Sequence, residues 1–196
     1  MIEEAVEAIR AGKPVVLPTD TVYGLCAEPT AEAALQVARL KGRRERQPFA
    51  LLVGSVETLL DLVPETPERV VRALLPGAFT LILPNPARRY PWLAGDNPDA
   101  IGVRVPSLEG PGAEVLGRVG AVLATSANLH GGPDPRRLED VPEEIRRGAS
   151  ALVDGGELPG TPSTVLDLTG PEPRVLREGA VPATEALGLV AASTGG

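Results

Sequence analysis

One cysteine, one histidine, two lysines and few aromatic side chains occur in this chain, and each shortage closes off a class of chemistry. A lone Cys26 cannot form an intrachain disulfide, and Cys26 with His130 cannot build a structural zinc site. A serine hydrolase needs a histidine base, and the sequence offers only His130 in a glycine-rich loop. A Cys26–His130 dyad has no supporting motif around either residue. The nucleotide-binding loops G-x-G-x-x-G and Walker A are both missing. No apolar run approaches the roughly 20 residues of a membrane span. Met1-Ile2-Glu3-Glu4 lacks the basic, apolar pattern of a signal peptide, so a cytoplasmic protein without membrane association is expected. A net charge of −7 argues against binding nucleic acid by bulk electrostatics. With aromatics at 3%, the core must be built from Val, Leu, Ile and Ala.

What is present reads as short strands alternating with short helices. Helices are expected over 2–11, from a Thr30 cap to Leu40, over 55–62, over 67–75, near 112–118, over 142–147 and after Pro182. Strands are expected at Val15–Leu17, Phe49–Val53, Phe79–Leu83, Ile101–Val105, Ala121–Thr125, Ala151–Val153, Thr164–Leu168 and Arg174–Leu176. This pattern predicts a three-layer α/β fold with a twisted mixed sheet flanked by helices, in a single domain over 1–196 with a frayed tail at 193–196.

Five segments concentrate polar chemistry, four of them near predicted strand ends. Pro18-Thr19-Asp20-Thr21-Val22-Tyr23-Gly24-Leu25 packs hydroxyls, a carboxylate and a phenol into a few positions after a buried strand. Ligands of open α/β sheets gather beyond such strand ends, although Thr and Asp also satisfy ordinary turns. Lys41-Gly42-Arg43 closes a helix, where cations favour the dipole and glycine the cap. A chain that uses arginine almost everywhere nevertheless places a compact ammonium here, and the two cations are not interchangeable at a crowded anion site. Ser126 and Asn128, two apart in an extended segment, point to one side and suit a phosphate or ribose, or else cap a turn. Pro162-Ser163-Thr164-Val165 and Leu176-Arg177-Glu178-Gly179 each add one polar or cationic side chain. Such an inventory suits anionic substrates whose chemistry is mostly positioning and charge stabilisation.

In order and content these segments, from about residue 10 to about 180, resemble the YrdC-like family, the threonylcarbamoyl-AMP synthases of tRNA modification. The resemblance implies a twisted mixed sheet with a concave basic site. It also implies formation of threonylcarbamoyl-adenylate and pyrophosphate from L-threonine, bicarbonate and ATP with magnesium. A partner enzyme would then pass the threonylcarbamoyl group to tRNA. By motif, Lys41 and Arg43 would be catalytic. Arg43, Gln47, Thr80, Ser126, Asn128, Asp134 and Arg177 would hold ATP, and Thr21, Lys41 and Ser163 threonine. No protein side chain is assigned to the metal. Several positions depart from the family pattern: Arg44 for proline, Leu52 for a threonine-contacting histidine, Leu75 for tryptophan, His130 for serine and Glu178 for proline. The second domain of longer relatives is expected to be absent. Two alternatives stay open at this point. One is a non-catalytic module for double-stranded RNA or tRNA, and the other is a same-fold enzyme adenylating or carbamoylating another acceptor.

Overall fold

Strands buried on both faces, such as Val15–Pro18 and Tyr23–Ala27, set the architecture. The computed structural model describes residues 1–42 and 47–194. In chain order it contains α1 Ile2–Arg10, β1 Val15–Pro18, β2 Tyr23–Ala27, α2 Ala31–Leu40, β3 Ala50–Val53, α3 Val56–Leu62, α4 Glu68–Leu74 and β4 Phe79–Pro84. It continues with β5 Ala100–Arg104, α5 Gly110–Val119, β6 Ala121–Ser126, α6 Glu143–Gly148, β7 Ala151–Leu152, β8 Thr164–Asp167, β9 Arg174–Arg177 and α7 Ala183–Thr194. The strands form one sheet in the order β7-β1-β2-β6-β3-β5-β4-β8-β9. Pairings β1–β7, β3–β5 and β4–β8 are parallel, and the others are antiparallel.

Because side chains alternate between faces with period two, each strand feeds two different layers. Tyr23 and Leu25, Leu51 and Val53, Leu81 and Leu83, Ile101 and Val103, and Leu123 pack under α2, α3, α4, α6 and α7 in the larger core. Val15, Leu17, Cys26, Leu52 and Val122 face the other way, under α1 and α5. Two helices cover only part of that second face. Its remainder carries Gly24, Ala50, Thr80, Ile82, Gly102 and Ala124, and these residues line a cavity.

Most predicted elements are present, with ends displaced by a residue or two. Thr30 caps α2 as expected, its side chain accepting from the Ala33 amide. The main element missed is β2. Residues 18–25 were expected to form a loop beyond a strand, yet they make a tight hairpin whose second strand pairs with β6. Tyr-Gly-Leu-Cys-Ala has no β-branched residue, and every position is buried, so neither propensity nor alternation marks it. At the C-terminus, α7 continues through Ser193 and Thr194, where fraying was expected. Ser193 is buried and its hydroxyl donates to the Val190 carbonyl at 2.7 Å.

Candidate active site

The cavity, of about 510 Å³, lies on the open half of the sheet rather than beyond the strand ends. The expectation from open α/β sheets therefore fails. The reason is geometric: α1 and α5 stop short, and small residues keep the exposed face hollow. Gly102 illustrates this. A Cβ there would meet only the Phe49 carbonyl at 3.6 Å, Ala50 Cα at 3.9 Å and Thr80 Cγ2 at 4.0 Å, all ordinary contacts. Glycine inside a strand commonly marks the close approach of a ligand. Gly102→Leu should thus fold normally, by its melting curve, while filling the floor and lowering substrate turnover on the order of a hundredfold. Unchanged turnover would remove the cavity from consideration.

One pole is built by the β1–β2 hairpin. Thr19 satisfies the turn: its Oγ1 donates to the Val22 carbonyl at 2.7 Å and accepts from the Thr21 and Val22 amides. Gly24 lets the turn lean over the sheet, since a Cβ at that position would lie 3.3 Å from Thr19 Cγ2. Tyr23 anchors the hairpin base. Its hydroxyl lies 3.0 Å from Asp154 Oδ1 and 2.8 Å from the Gly156 carbonyl, and it accepts from the Gly155 amide.

Asp20 reaches across the cavity to Arg104, with Oδ1 2.6 Å from Nη2, and its Oδ2 accepts from the Ser107 amide at 3.2 Å. Both side chains are nearly buried, at 8% and 11% exposure. Burial pushes the Asp20 carboxyl above its usual range, opposed by Arg104. Burial likewise pulls the Arg104 guanidinium down, opposed by Asp20. The guanidinium nonetheless stays charged, as arginine does in proteins. Arg104 Nη2 also lies 3.3 Å from Thr21 Oγ1. Its Nε is buried without a partner, and Nη1 makes no hydrogen bond among the described residues. Neither Arg104 nor its pairing with Asp20 was read from the sequence, because arginine is common here and nothing nearby in the chain marks Arg104.

The opposite wall comes from β4, β8 and β9. Thr80 and Ser163 hydroxyls meet at 2.7 Å. Arg177 grips the same spot, its Nη2 donating to the Ser163 carbonyl at 2.8 Å and Oγ at 3.3 Å. The glycine two residues later is required: a Cβ on Gly179 would fall 2.2 Å from the Pro162 carbonyl. Thr164 secures this turn, donating to the Val181 carbonyl at 2.6 Å and accepting from the Gly179 and Val181 amides. Beyond them Asp167, also missed by sequence reasoning, lines the far end. Hydrogen bonding from the Thr169 hydroxyl holds its carboxyl low, and its other oxygen faces Arg174.

Lys41, rather than Gly42, is the C-cap of α2, and its side chain does not run to solvent. It is buried, and Nζ donates to the Ser126 carbonyl, to the Asn128 carbonyl at 2.9 Å and to Asn128 Oδ1 at 2.6 Å. Ser126 Oγ donates to the same Oδ1 at 2.7 Å, and Asn128 Nδ2 to the Gly132 carbonyl at 2.6 Å. Among the described residues the cavity wall contains Thr21, Thr80, Ser126, Asp134, Ser163 and Arg177. Lys41 and Asn128 stand behind Ser126, and Gln47 precedes the wall residue Pro48. Arg43 and Arg44 lie outside the described residues.

Leu52 sits on the cavity-bearing face as the cross-strand neighbour of Arg104, but it is fully packed under α5. Leu75 is buried, His130 is exposed, and Glu178 accepts from the Ala183 amide at the start of α7 at 2.8 Å. Cys26 is buried, its thiol pushed up to about 12 by burial, so it is no nucleophile. Neighbouring arginines elsewhere on the surface are ion-paired: Arg88 with Asp99, Arg89 with Glu65, Arg136 and Arg137 with Glu157, and Arg147 with Glu143. These clusters are laced faces rather than bare cationic stripes.

A hollow α/β sheet bearing guanidinium and hydroxyl groups along one cavity defines a site suited to anionic ligands. The sequence family Sua5/YciO/YrdC, described as "Telomere recombination", matches residues 7–179, and the chain belongs to it. A Mycobacterium tuberculosis protein provisionally named threonylcarbamoyl-AMP synthase is 39% identical over 202 residues, covering 98% of this chain and 91% of its own length. The threonylcarbamoyl-AMP synthase of Pyrococcus abyssi is 35% identical over 182 residues, 90% of this chain but 53% of the archaeal one. The solved structure of P. abyssi Sua5 complexed with L-threonine superposes with a TM-score of 0.87 at 34% identity, covering 96% of this chain and 56% of that one. Escherichia coli YciO superposes at 0.81 with 28% identity, covering 95% and 92%. This chain thus spans about half the length of the archaeal relative and nearly all of the others.

Proposed function

We propose that the protein is a threonylcarbamoyl-AMP synthase, converting L-threonine, bicarbonate and ATP into threonylcarbamoyl-adenylate and pyrophosphate. The observation that carries this reading is the buried Arg104 guanidinium, whose Nη1 makes no hydrogen bond among the described residues, set beside the hydroxyls of Thr19 and Thr21 in a cavity large enough for an amino acid and a nucleotide. A guanidinium N–H binds a carboxylate through a short, charge-assisted hydrogen bond, so Arg104 Nη1 takes the carboxylate of threonine and Thr21 its polar neighbours. Ser126, the Thr80–Ser163 pair and Arg177 line the path of the nucleotide.

The amine of threonine adds to carbon dioxide derived from bicarbonate and loses a proton, giving a carbamate. A carbamate oxygen then attacks the α-phosphorus and pyrophosphate leaves. The nucleophile is already an anion, so the protein's task is to align two anions and offset their repulsion. Arg104 and Arg177 supply charge from opposite sides of the cavity. Magnesium would enter with the triphosphate and neutralise part of its charge. Asp134 is the wall carboxylate suited to meet it, carrying one long hydrogen bond of 3.4 Å from Asn128 Nδ2. The adenylate would pass to a partner enzyme that modifies tRNA in the cytoplasm. Any tRNA contact by this subunit would use surfaces other than the ion-paired arginine clusters described above.

Incubating the purified protein with ATP, threonine and labelled bicarbonate tests the reading. Pyrophosphate release that requires all three, and a labelled adenylate, are expected. Release that ignores threonine, or that serine supports equally, would point to another acceptor.

A further inference from the structure

We propose that Asp20 is a positioning residue for the amino-acid end of the reaction: it clasps the β1–β2 hairpin over the sheet face and aims Arg104 Nη1 into the cavity. The inference rests on the reading of Arg104 as a carboxylate-binding group. In the sheet order, β2 and β5 are separated by β6 and β3. That separation is about 14 Å at the usual interstrand spacing, beyond the reach of an aspartate and an arginine lying flat. The contact exists because the hairpin leans over the face, which Gly24 permits. Both carboxylate oxygens are engaged, one by Arg104 and one by the Ser107 amide, so Asp20 ties the hairpin to two points at the end of β5.

Stability alone is a poor account of this pair. Buried ion pairs are often no better for folding than apolar residues of the same volume. An arginine whose only other neighbour were Thr21 Oγ1 at 3.3 Å would be held loosely. With Asp20 and Thr21 engaging Nη2 and with Nε enclosed, Nη1 is left as the donor that meets the cavity.

The test is Asp20→Asn in the full-length protein, assayed for adenylate formation with threonine and ATP varied separately. The expected result is a threonine KM raised roughly tenfold or more, consistent with loss of a charge-assisted hydrogen bond, with the ATP KM essentially unchanged. An unchanged threonine KM, or equal rises in both, overturns the proposal. On an Arg104→Lys background the same change should add little further to the threonine KM, and a fully additive loss would also overturn it. Should Asp20→Asn fail to fold, Asp20→Glu keeps the charge but displaces it by one methylene, and the same selective rise in threonine KM is expected. The clasp has a readout that needs no substrate: hydrogen exchange at the Ser107 and Val22 amides should accelerate in the Asp20 variants. Unchanged protection sinks the clasp whatever the reaction is. A wild-type protein that forms no adenylate, yet shows this acceleration on substitution, would instead indict the functional reading.

Discussion

Lys41→Arg is expected to lose nearly as much adenylate-forming activity as Lys41→Ala, on the order of a hundredfold or more in each case. Nζ sits among the Ser126 carbonyl, the Asn128 carbonyl and Asn128 Oδ1, in a buried space matched to a single ammonium. A guanidinium is wider, planar and fixed in its donor directions, so it cannot meet these oxygens without moving the turn. Removing the cation leaves buried oxygens short of a donor, at about 1–3 kcal/mol each, and frees Asn128 to rotate. Ser126 then loses the acceptor that orients its hydroxyl. Loss of activity in both variants, measured as threonine-dependent pyrophosphate release, is the signature of this arrangement. Full activity of Lys41→Arg would mean that any cation suffices there.

The second large effect is expected at Arg104. Arg104→Met should abolish use of threonine at ordinary concentrations. It should also destabilise the fold by about 3–5 kcal/mol at neutral pH, because a buried carboxylate is left without its cation. The pH dependence has a definite sign. Burial already raises the Asp20 carboxyl in the folded protein, and losing Arg104 raises it further. A raised folded-state value means that ionisation works against the fold, so the penalty is largest above the carboxylate range and shrinks as acid protonates Asp20. Denaturant melts of both proteins at several pH values would show the gap narrowing toward acid. A constant gap would mean that Asp20 has found another partner.

Much of the site was legible because its motifs are local. The Thr30 cap, the strand before Ser126 and the turn around Ser163 are each written in a few consecutive residues, and family resemblance joined them. What escaped was long-range or hidden by burial. Arg104 is one arginine among seventeen, and only the fold brings it to Asp20, 84 residues away. The strand Tyr23–Ala27 is buried on both faces, so alternation gave no signal. Lys41 stood out as one of two lysines, but a sequence cannot show that its ammonium donates into the Ser126–Asn128 turn. Leu52 stood out as a missing histidine. Its structural context explains how a hydrocarbon sits there: α5 covers it, and Arg104 beside it supplies the polar group on the cavity side.

The order of strands has a consequence for how this chain acquires its activity during synthesis. The cavity draws one wall from residues 19–24 and the other from residues 163–177, and the latter are placed by parallel pairing of β8 with β4. The edge strand β7 likewise returns to pair with β1 from across the chain. Such non-local contacts form late and slowly, since loop closure precedes any compensating contact. A nascent polypeptide emerging from the ribosome can therefore build the hairpin and the first helices without possessing a competent site. On the proposed role of Arg177, catalysis switches on only once that residue has docked, which makes turnover itself a reporter of completed folding.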